Sequence, residues 1–428
     1  MQHQVDLFYI KSMNYKTTKD FALHLDSEDE LGKYREQFHI PLQKNGKEHI
    51  YFCGNSLGLQ PKRTKDFLDQ EMNDWANLGV EGHHHAKNPW LPYHEFLSKS
   101  YANLVGARTT EVVAMNTLTV NLHLMMVSFY RPTSKRYKII IEGDAFPSDT
   151  YAVESQIKYH GIDIDKALIK LTPRAGESVV RTEDILDILK KEGESTSLIL
   201  LGGVNYYTGQ VFDFEKITNA AQNKRIKVGF DLAHAIGNIK LELHKWNVDF
   251  AVWCSYKYLN SGPGSVGGVF IHEKHHDSNN PRFCGWWGHN KSDRFNMPDS
   301  FNPIKTAEGW QLSNPPILSL AAIRASLSIF DEIGMKKLVI KSQKMTSYLW
   351  FLLETIPTNR IKIITPKDSG CQLSIRVQDG NKSLFDKITA KGVIADWREP
   401  DVIRIAPVPL YNSFEDVFNF YQILNELL

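Results

Sequence analysis

The sequence predicts an α/β protein built on a mostly parallel central sheet flanked by helices, with a smaller α+β unit at its C-terminal end. Three observations lead there. Short β-rich runs alternate with helical patterns through the middle of the chain, and several of those runs are apolar almost without interruption. The alternation then stops at Asn314-Pro315-Pro316, and a different order of elements follows.

The expected strands of the large unit are 137–142 (YKIIIE), 197–204 (SLILLGGV), 227–232 (KVGFDL), 250–255 (FAVWCS) and 268–272 (GVFIH). The second, fourth and fifth lack polar alternation, as strands do when helices cover both faces of their sheet. Helical patterns at 117–130, 149–160, 182–192 and 214–224 lie among them. Beyond the prolines come helices at 317–333 and 337–354, a strand at 372–377, a helix at 383–391, short strands at 393–396 and 402–406, and a closing helix at 413–427. The chain therefore divides into an N-terminal arm (1–45), a large unit (46–315) and a small one (316–428), the last within the usual size of a domain.

Composition sets the broad class. The 428 residues are 42% hydrophobic and 23% charged, and 50 Lys and Arg balance 49 Asp and Glu to a formal charge of +1. That balance leaves no electrostatic footprint for nucleic acid or for an anionic membrane. Cys53, Cys254, Cys284 and Cys371 form no CxxC pair, so they read as free thiols in a reducing compartment. The first residues lack a signal peptide's apolar region, and no run reaches the ~18 apolar residues of a membrane span. A soluble, cytoplasmic protein without nucleic-acid or membrane partners is expected.

The stretch 228–268 carries the clearest chemistry. Asp231 ends one expected strand, His234 follows three residues later, and Lys257 lies just past the next strand. Ends of neighbouring parallel strands come together, and ligands bind there. An amine and a carboxylate so placed suit a cofactor with an aldehyde and a ring nitrogen: the lysine forms an imine, and the carboxylate holds the protonated nitrogen. Spacing alone leaves open a helix-capping aspartate and a solvated surface lysine. Thr117 and Thr119 open a helix whose free N–H groups could receive a phosphate, although an ordinary N-cap uses the same residues. Phe146-Pro147-Ser148-Asp149 follows a strand, where the ring could stack on a cofactor, and it also reads as a turn with an N-cap.

Other motifs are weaker. Gly262–Gly268 is followed by no GK[ST], and no GxGxxG opens a helix after a strand, so no nucleotide fingerprint is present. His83-His84-His85 point in different directions on any regular element, and with no zinc spacing nearby no metal is expected. A single histidine of the three suits a substrate pocket. Cys284-Gly285-Trp286-Trp287-Gly288-His289 suits a domain interface or an aromatic pocket, and Arg404 could grip a carboxylate or sit in a surface ion pair.

Taken together, GNSLGLQP (54–61), EGHHHAKNPW (81–90), FPSD (146–149), YYTGQ (206–210), GFDLAHAIGN (229–238), WCSYKYLN (253–260), GWWGH (285–289), LSNPPI (312–317) and IRIAPVPLYNS (403–413) resemble the kynureninase family, in the family's order. The resemblance implies a pyridoxal 5'-phosphate (PLP) enzyme of fold type I, like aspartate aminotransferase, that works as a homodimer with a shared active site. The implied reaction is hydrolysis of the Cβ–Cγ bond of L-kynurenine or 3-hydroxy-L-kynurenine, a step of tryptophan catabolism leading to pyridine nucleotides. Lys257, Asp231 and Tyr256 are then catalytic. The cofactor shell that the resemblance implies comprises Leu118, Thr119, Phe146, Pro147, Ser148, Asp149, His234, Trp286 and Asn314, the last two placed to come from the second subunit. His83, Ser313, Asn314 and Arg404 match substrate-contacting positions, and they suggest the 3-hydroxy substrate. One departure is Gly202, where some relatives carry serine. Other fold-type-I enzymes, an aminotransferase or a desulfurase, and a non-catalytic scaffold on the same fold are the alternatives.

Overall fold

The strands set the frame of the molecule, a computed structural model that describes residues 14–428. Residues 1–13 of the expected arm lie outside the described residues. In chain order the strands are β1 (Ile50–Tyr51), β2 (Val112–Ala114), β3 (Lys138–Glu142), β4 (Leu168–Leu171), β5 (Thr196–Gly202), β6 (Lys227–Asp231), β7 (Phe250–Trp253), β8 (Gly268–Ile271), β9 (Ile361–Ile363), β10 (Leu373–Val377), β11 (Val393–Ile394), β12 (Asp396–Arg398) and β13 (Val402–Ile405).

Seven of them form one sheet in the order β2-β8-β7-β6-β5-β3-β4. β7, β6, β5, β3 and β4 are parallel, and β8 runs against both of its neighbours. Successive residues point to opposite faces. Ile199 and Leu201 accordingly enter one core cluster, while Leu198 and Leu200 enter another on the other side. Both faces are covered by helices, which is why these strands read as unbroken apolar runs. Each fully buried Leu, Ile or Phe contributes roughly 1.5–3 kcal/mol to this arrangement.

The C-terminal part carries an antiparallel sheet, β12-β13-β10-β9, packed on Met335–Glu354 and Phe414–Leu427 around a third cluster. The expected α/β architecture with a smaller α+β unit is the one observed. Residues 14–45 hold more than extended chain. The helix Lys19–Ser27 buries Ala22 and Leu25 in the third cluster, and the Asp26 carboxylate accepts the N–H groups of Phe414 and Glu415 at 2.7 and 2.8 Å. It thereby caps the closing helix.

Some details differ from the sequence reading. The single strand expected at 393–396 is two: Val393–Ile394 pairs with β1, and Asp396–Arg398 pairs with β13. β2, β4 and β9 were not anticipated, and all three are edge strands of three or four residues. Such strands are too short to show a period.

Candidate active site

The parallel strands deliver their last residues to one place. Glu142 ends β3, Gly202 ends β5 and Asp231 ends β6, with Gly202 registered opposite Asp231 and Asp231 opposite Val252 of β7. The chain leaving β7 brings Tyr256 and Lys257 to the same edge. These residues line a cleft of about 590 Å³ together with Leu118, Thr119, Phe146, Ser148, Asp149, Tyr206 and His234. The site sits outside the carboxyl ends of parallel strands, where an open α/β sheet leaves a crevice.

Lys257 Nζ lies 2.9 Å from His234 Nε2. Burial, and then the charge of Lys257, holds His234 well below its ordinary pKa, so the imidazole is neutral and accepts at Nε2. Its Nδ1 is buried without a hydrogen-bond partner among the described residues. Asp231 is fixed by the N–H of Ala233, which donates to Oδ1 at 2.7 Å. Burial raises Asp149 well above the carboxylate range, and the neighbouring Asp231 raises it further, so Asp149 keeps a proton facing Asp231. Its Oδ1 also lacks a partner.

A third carboxyl, Glu142, is 4% exposed. Burial pushes it up to about 7, helped by Asp231 and Asp144, against the lowering effect of donors from Asn205 and Gly202. Gly202 N–H donates to Glu142 Oε1, and Asn205 Nδ2 donates to Oε2 at 2.6 Å. A Cβ at Gly202 would stand 2.8 Å from Glu142 Oε1. Glycine at 202 therefore lets the two strand ends close on each other.

Two helices start at the cleft, Leu118–Phe129 and Pro147–Tyr159, and neither has a side-chain cap. The first helix keeps its first-turn N–H groups open for an anion; in the second, Pro147 has none and Asp149 N–H donates to the Phe146 carbonyl at 2.9 Å, which leaves Ser148 N–H. Thr119 Oγ1 and Ser148 Oγ meet at 2.8 Å between them. Phe146, 44% exposed, stands edge-on to Tyr206, and its ring centroid lies 5.9 Å from Lys257 Nζ. An amine, a buried carboxylate, an exposed aromatic face and two uncapped helix N-termini suit a flat aldehyde cofactor carrying a phosphate. The orphaned His234 Nδ1 and Asp149 Oδ1 mark places where such a ring could supply partners.

The remaining candidates lie elsewhere. Arg404 is buried behind Tyr206: one guanidinium nitrogen donates to the Tyr206 carbonyl at 2.7 Å, another to Asp396, and Nε has no partner. His83 bonds the Val80 carbonyl at 2.9 Å and packs edge-on against Trp90, away from the cleft lining. Ser313 and Asn314 are exposed. Trp286 is 41% exposed, with its indole N–H on the Arg294 carbonyl. Within one chain these five do not line the cleft. Sequence reasoning missed Glu142 and Asn205; the signal available was a carboxylate closing the apolar strand YKIIIE.

Comparison with known proteins places this geometry among relatives. Residues 338–424 match a family described as the kynureninase C-terminal domain. A protein named kynureninase from Flavobacterium psychrophilum is 55% identical across 97% of this chain and 99% of its own. Another from Koribacter versatilis is 54% identical across 95% and 97%, and one from Homo sapiens is 46% identical across 97% and 94%. Among solved structures, a C-DES mutant with glycine covalently linked to its PLP cofactor superposes with a TM-score of 0.76 at 16% identity, covering 91% of this chain and 98% of that one. A cysteine desulfurase from Thermococcus onnurineus gives 0.75 at 18% identity over 92% and 97%. At that identity the likeness is one of fold.

Proposed function

The chain belongs to the kynureninase family and is a PLP-dependent enzyme that cleaves kynurenine by hydrolysis of a carbon–carbon bond, and on that premise we propose how its residues divide the work. The observation that carries the assignment of roles is the meeting of Lys257 and Asp231 at adjacent strand ends, in a cleft flanked by two uncapped helix N-termini. Lys257 would be the amine that holds the cofactor aldehyde, Asp231 would hold the ring nitrogen, and Phe146 and His234 would hold the ring in place. Leu118, Thr119, Pro147, Ser148 and Tyr256 surround the phosphate. When bound, the cofactor supplies an electron sink next to the substrate's amino group.

Lys257 Nζ takes the proton from the substrate Cα, with His234 Nε2 beside it to receive its hydrogen bond. Asp231, steadied by Ala233 N–H and by the proton on Asp149, keeps negative charge at the ring nitrogen. Burial raises the Tyr256 phenol above its ordinary value, so it remains a donor able to move a proton at the γ-carbonyl oxygen. Arg404 receives the substrate α-carboxylate through its guanidinium fork. Water contributes the oxygen of the new anthranilate carboxylate and the hydrogen that completes the alanine methyl group.

Trp286 and Asn314 act from the second subunit of a homodimer, and exposed Trp75, Phe283, Trp286, Phe295 and Met297 supply apolar surface for such an interface. Residues 46–315 make the cofactor-binding unit and 316–428 the small one. His83, Ser313 and Asn314 favour the 3-hydroxy substrate. The pathway is tryptophan catabolism, in the cytoplasm; among the described residues no helix is long and apolar enough to cross a membrane. A desulfurase needs a mobile reactive thiol. Cys371, the one cysteine of the small unit, is 1% exposed and burial pushes its thiol up to about 12.

The test is turnover. Purified holoenzyme is incubated separately with L-kynurenine and its 3-hydroxy form, and alanine and the fluorescent anthranilates are measured. Absence of alanine plus an anthranilate from both overturns the activity. A kcat/KM for the 3-hydroxy form no higher than for kynurenine overturns the preference.

A further inference from the structure

The turn Asn205–Gln210 touches both parts of the protein; Glu142 anchors its Asn205 end, while Gln210 bonds the Val180 backbone at the other end. Asn205 donates to Glu142 Oε2 through Nδ2, and its Oδ1 accepts Tyr207 N–H at 3.0 Å, Thr208 N–H at 2.8 Å and the Thr208 hydroxyl at 3.0 Å. The turn is thus folded around one side chain, held at its outer end by one buried carboxyl group. Its carbonyls face the small unit. Tyr206 O accepts from Arg404, Tyr207 O accepts the Ser374 hydroxyl at 2.6 Å, and Thr208 O accepts the Thr365 hydroxyl. Tyr206 also closes the cleft wall against Phe146. The route from cleft floor to guanidinium is short: Glu142, Asn205, Tyr206 O, Arg404.

We propose that Glu142 is a positioning residue for substrate recognition: through Asn205 it sets the Tyr206 carbonyl, and that carbonyl aims Arg404 at the substrate carboxylate. The inference rests on the reading of Arg404 as the carboxylate-binding residue. Glu142 does not touch substrate in this scheme. Its two oxygens are both used as acceptors, one for Gly202 N–H and one for Asn205. A glutamine there has one oxygen, so one N–H group must face another whichever way the amide turns. The consequence falls on the turn and then on Arg404, whose fork among the described residues is fixed by its bonds to Tyr206 O and Asp396.

The donor–acceptor polarity of the Glu142–Asn205 pair can be reversed. Glu142→Gln alone sets amide against amide, and Asn205→Asp alone sets two carboxyl groups against each other, a repulsive pair once Glu142 is ionised, so the assays are run above that point. The double variant restores a bond, from Gln Nε2 to Asp Oδ2, and keeps the net charge. The holoenzyme of each is compared with wild type and with Arg404→Ala for KM, kcat, cofactor absorbance and melting temperature. Each single change is expected to raise KM about tenfold, with kcat and cofactor affinity within about twofold, and the double variant to return KM to within about threefold of wild type. Unchanged KM in both single variants, or a double variant no better than the worse single, overturns the inference. Should the single variants fail to fold, the double decides alone, since raised KM in a folded double refutes the pairing. If Arg404→Ala leaves KM unchanged, the reading of Arg404 falls and takes this inference with it. If Arg404→Ala raises KM while the pair has no effect, only this inference falls.

Discussion

Glu142 should make stability depend on pH in a way that its own substitution removes. Its carboxyl group ordinarily titrates near 4.5 and stands at about 7 in the fold. It is 4% exposed, so solvent screening takes little from the effect. At about 1.36 kcal/mol per pKa unit, the difference corresponds to about 3 kcal/mol. Because the folded value is raised, the native state binds this proton more tightly than the unfolded chain. The stabilisation is therefore complete below about pH 4.5 and lost as pH rises through about 7. Asp231 and Asp144 face Glu142 and share in raising it, so the cofactor-free enzyme is the proper sample; a ring cation beside Asp231 would pull Glu142 down. Melting temperatures of wild type and Glu142→Gln are measured side by side from about pH 4.5 to about pH 8. The wild-type value minus the variant value should fall with rising pH by a few degrees, at roughly 1–2 °C per kcal/mol for a chain of this size. Groups away from the cleft titrate alike in both proteins, so the difference reports Glu142 together with the neighbouring carboxyls, Asp149 among them, whose affinity its charge raises. A gap that stays constant across the range refutes the reasoning.

Other outcomes follow from the same geometry. Lys257→Ala should abolish turnover and the visible absorbance of bound cofactor, read by spectrophotometry after reconstitution. Arg404→Lys keeps the charge and loses the fork; one lost charge-assisted hydrogen bond of about 1.5–3 kcal/mol predicts KM higher by roughly ten- to a hundredfold in the fluorescence assay. Gly58 N–H donates to the Tyr256 carbonyl at 2.8 Å, and a Cβ at 58 would run into the Lys257 carbonyl. Gly58→Ala should therefore weaken cofactor retention, measured by dialysis and absorbance, more than it lowers the melting temperature. Mixing Lys257→Ala subunits with Asn314→Ala subunits should recover activity that neither homodimer has, if the site is shared.

Much of the fold was legible because burial on both faces leaves a plain mark. Strands such as SLILLGGV and FAVWCS have no polar alternation, and that is the mark of a sheet covered on both sides. The edge strands Val112–Ala114, Leu168–Leu171 and Ile361–Ile363 carry no such mark, being short. The helix Lys19–Ser27 escaped notice because its two buried side chains take their meaning from the closing helix, almost 400 residues away in sequence. At the site, Lys257 and Asp231 were found since each follows an apolar strand, and ordered motifs extended the set to Phe146, Asp149 and His234.

The layered architecture, the family and the amine–carboxylate pair are readable from the chain alone, since they are written in local patterns and contiguous motifs. Which groups share a charge environment, and which hydrogen bonds cross from one unit to the other, follows from the folded arrangement. Glu142 becomes a buried acid only when β3, β5 and β6 bring their ends together, because its shifted proton affinity comes from lost water and from Asp231. Arg404, which in sequence is an arginine on a small strand, is tied to the cleft by a carbonyl 198 residues away. Chain pattern names the residues that can do the chemistry; desolvation and long-range hydrogen bonding, which exist only in the folded state, set the protonation and aim that let them do it.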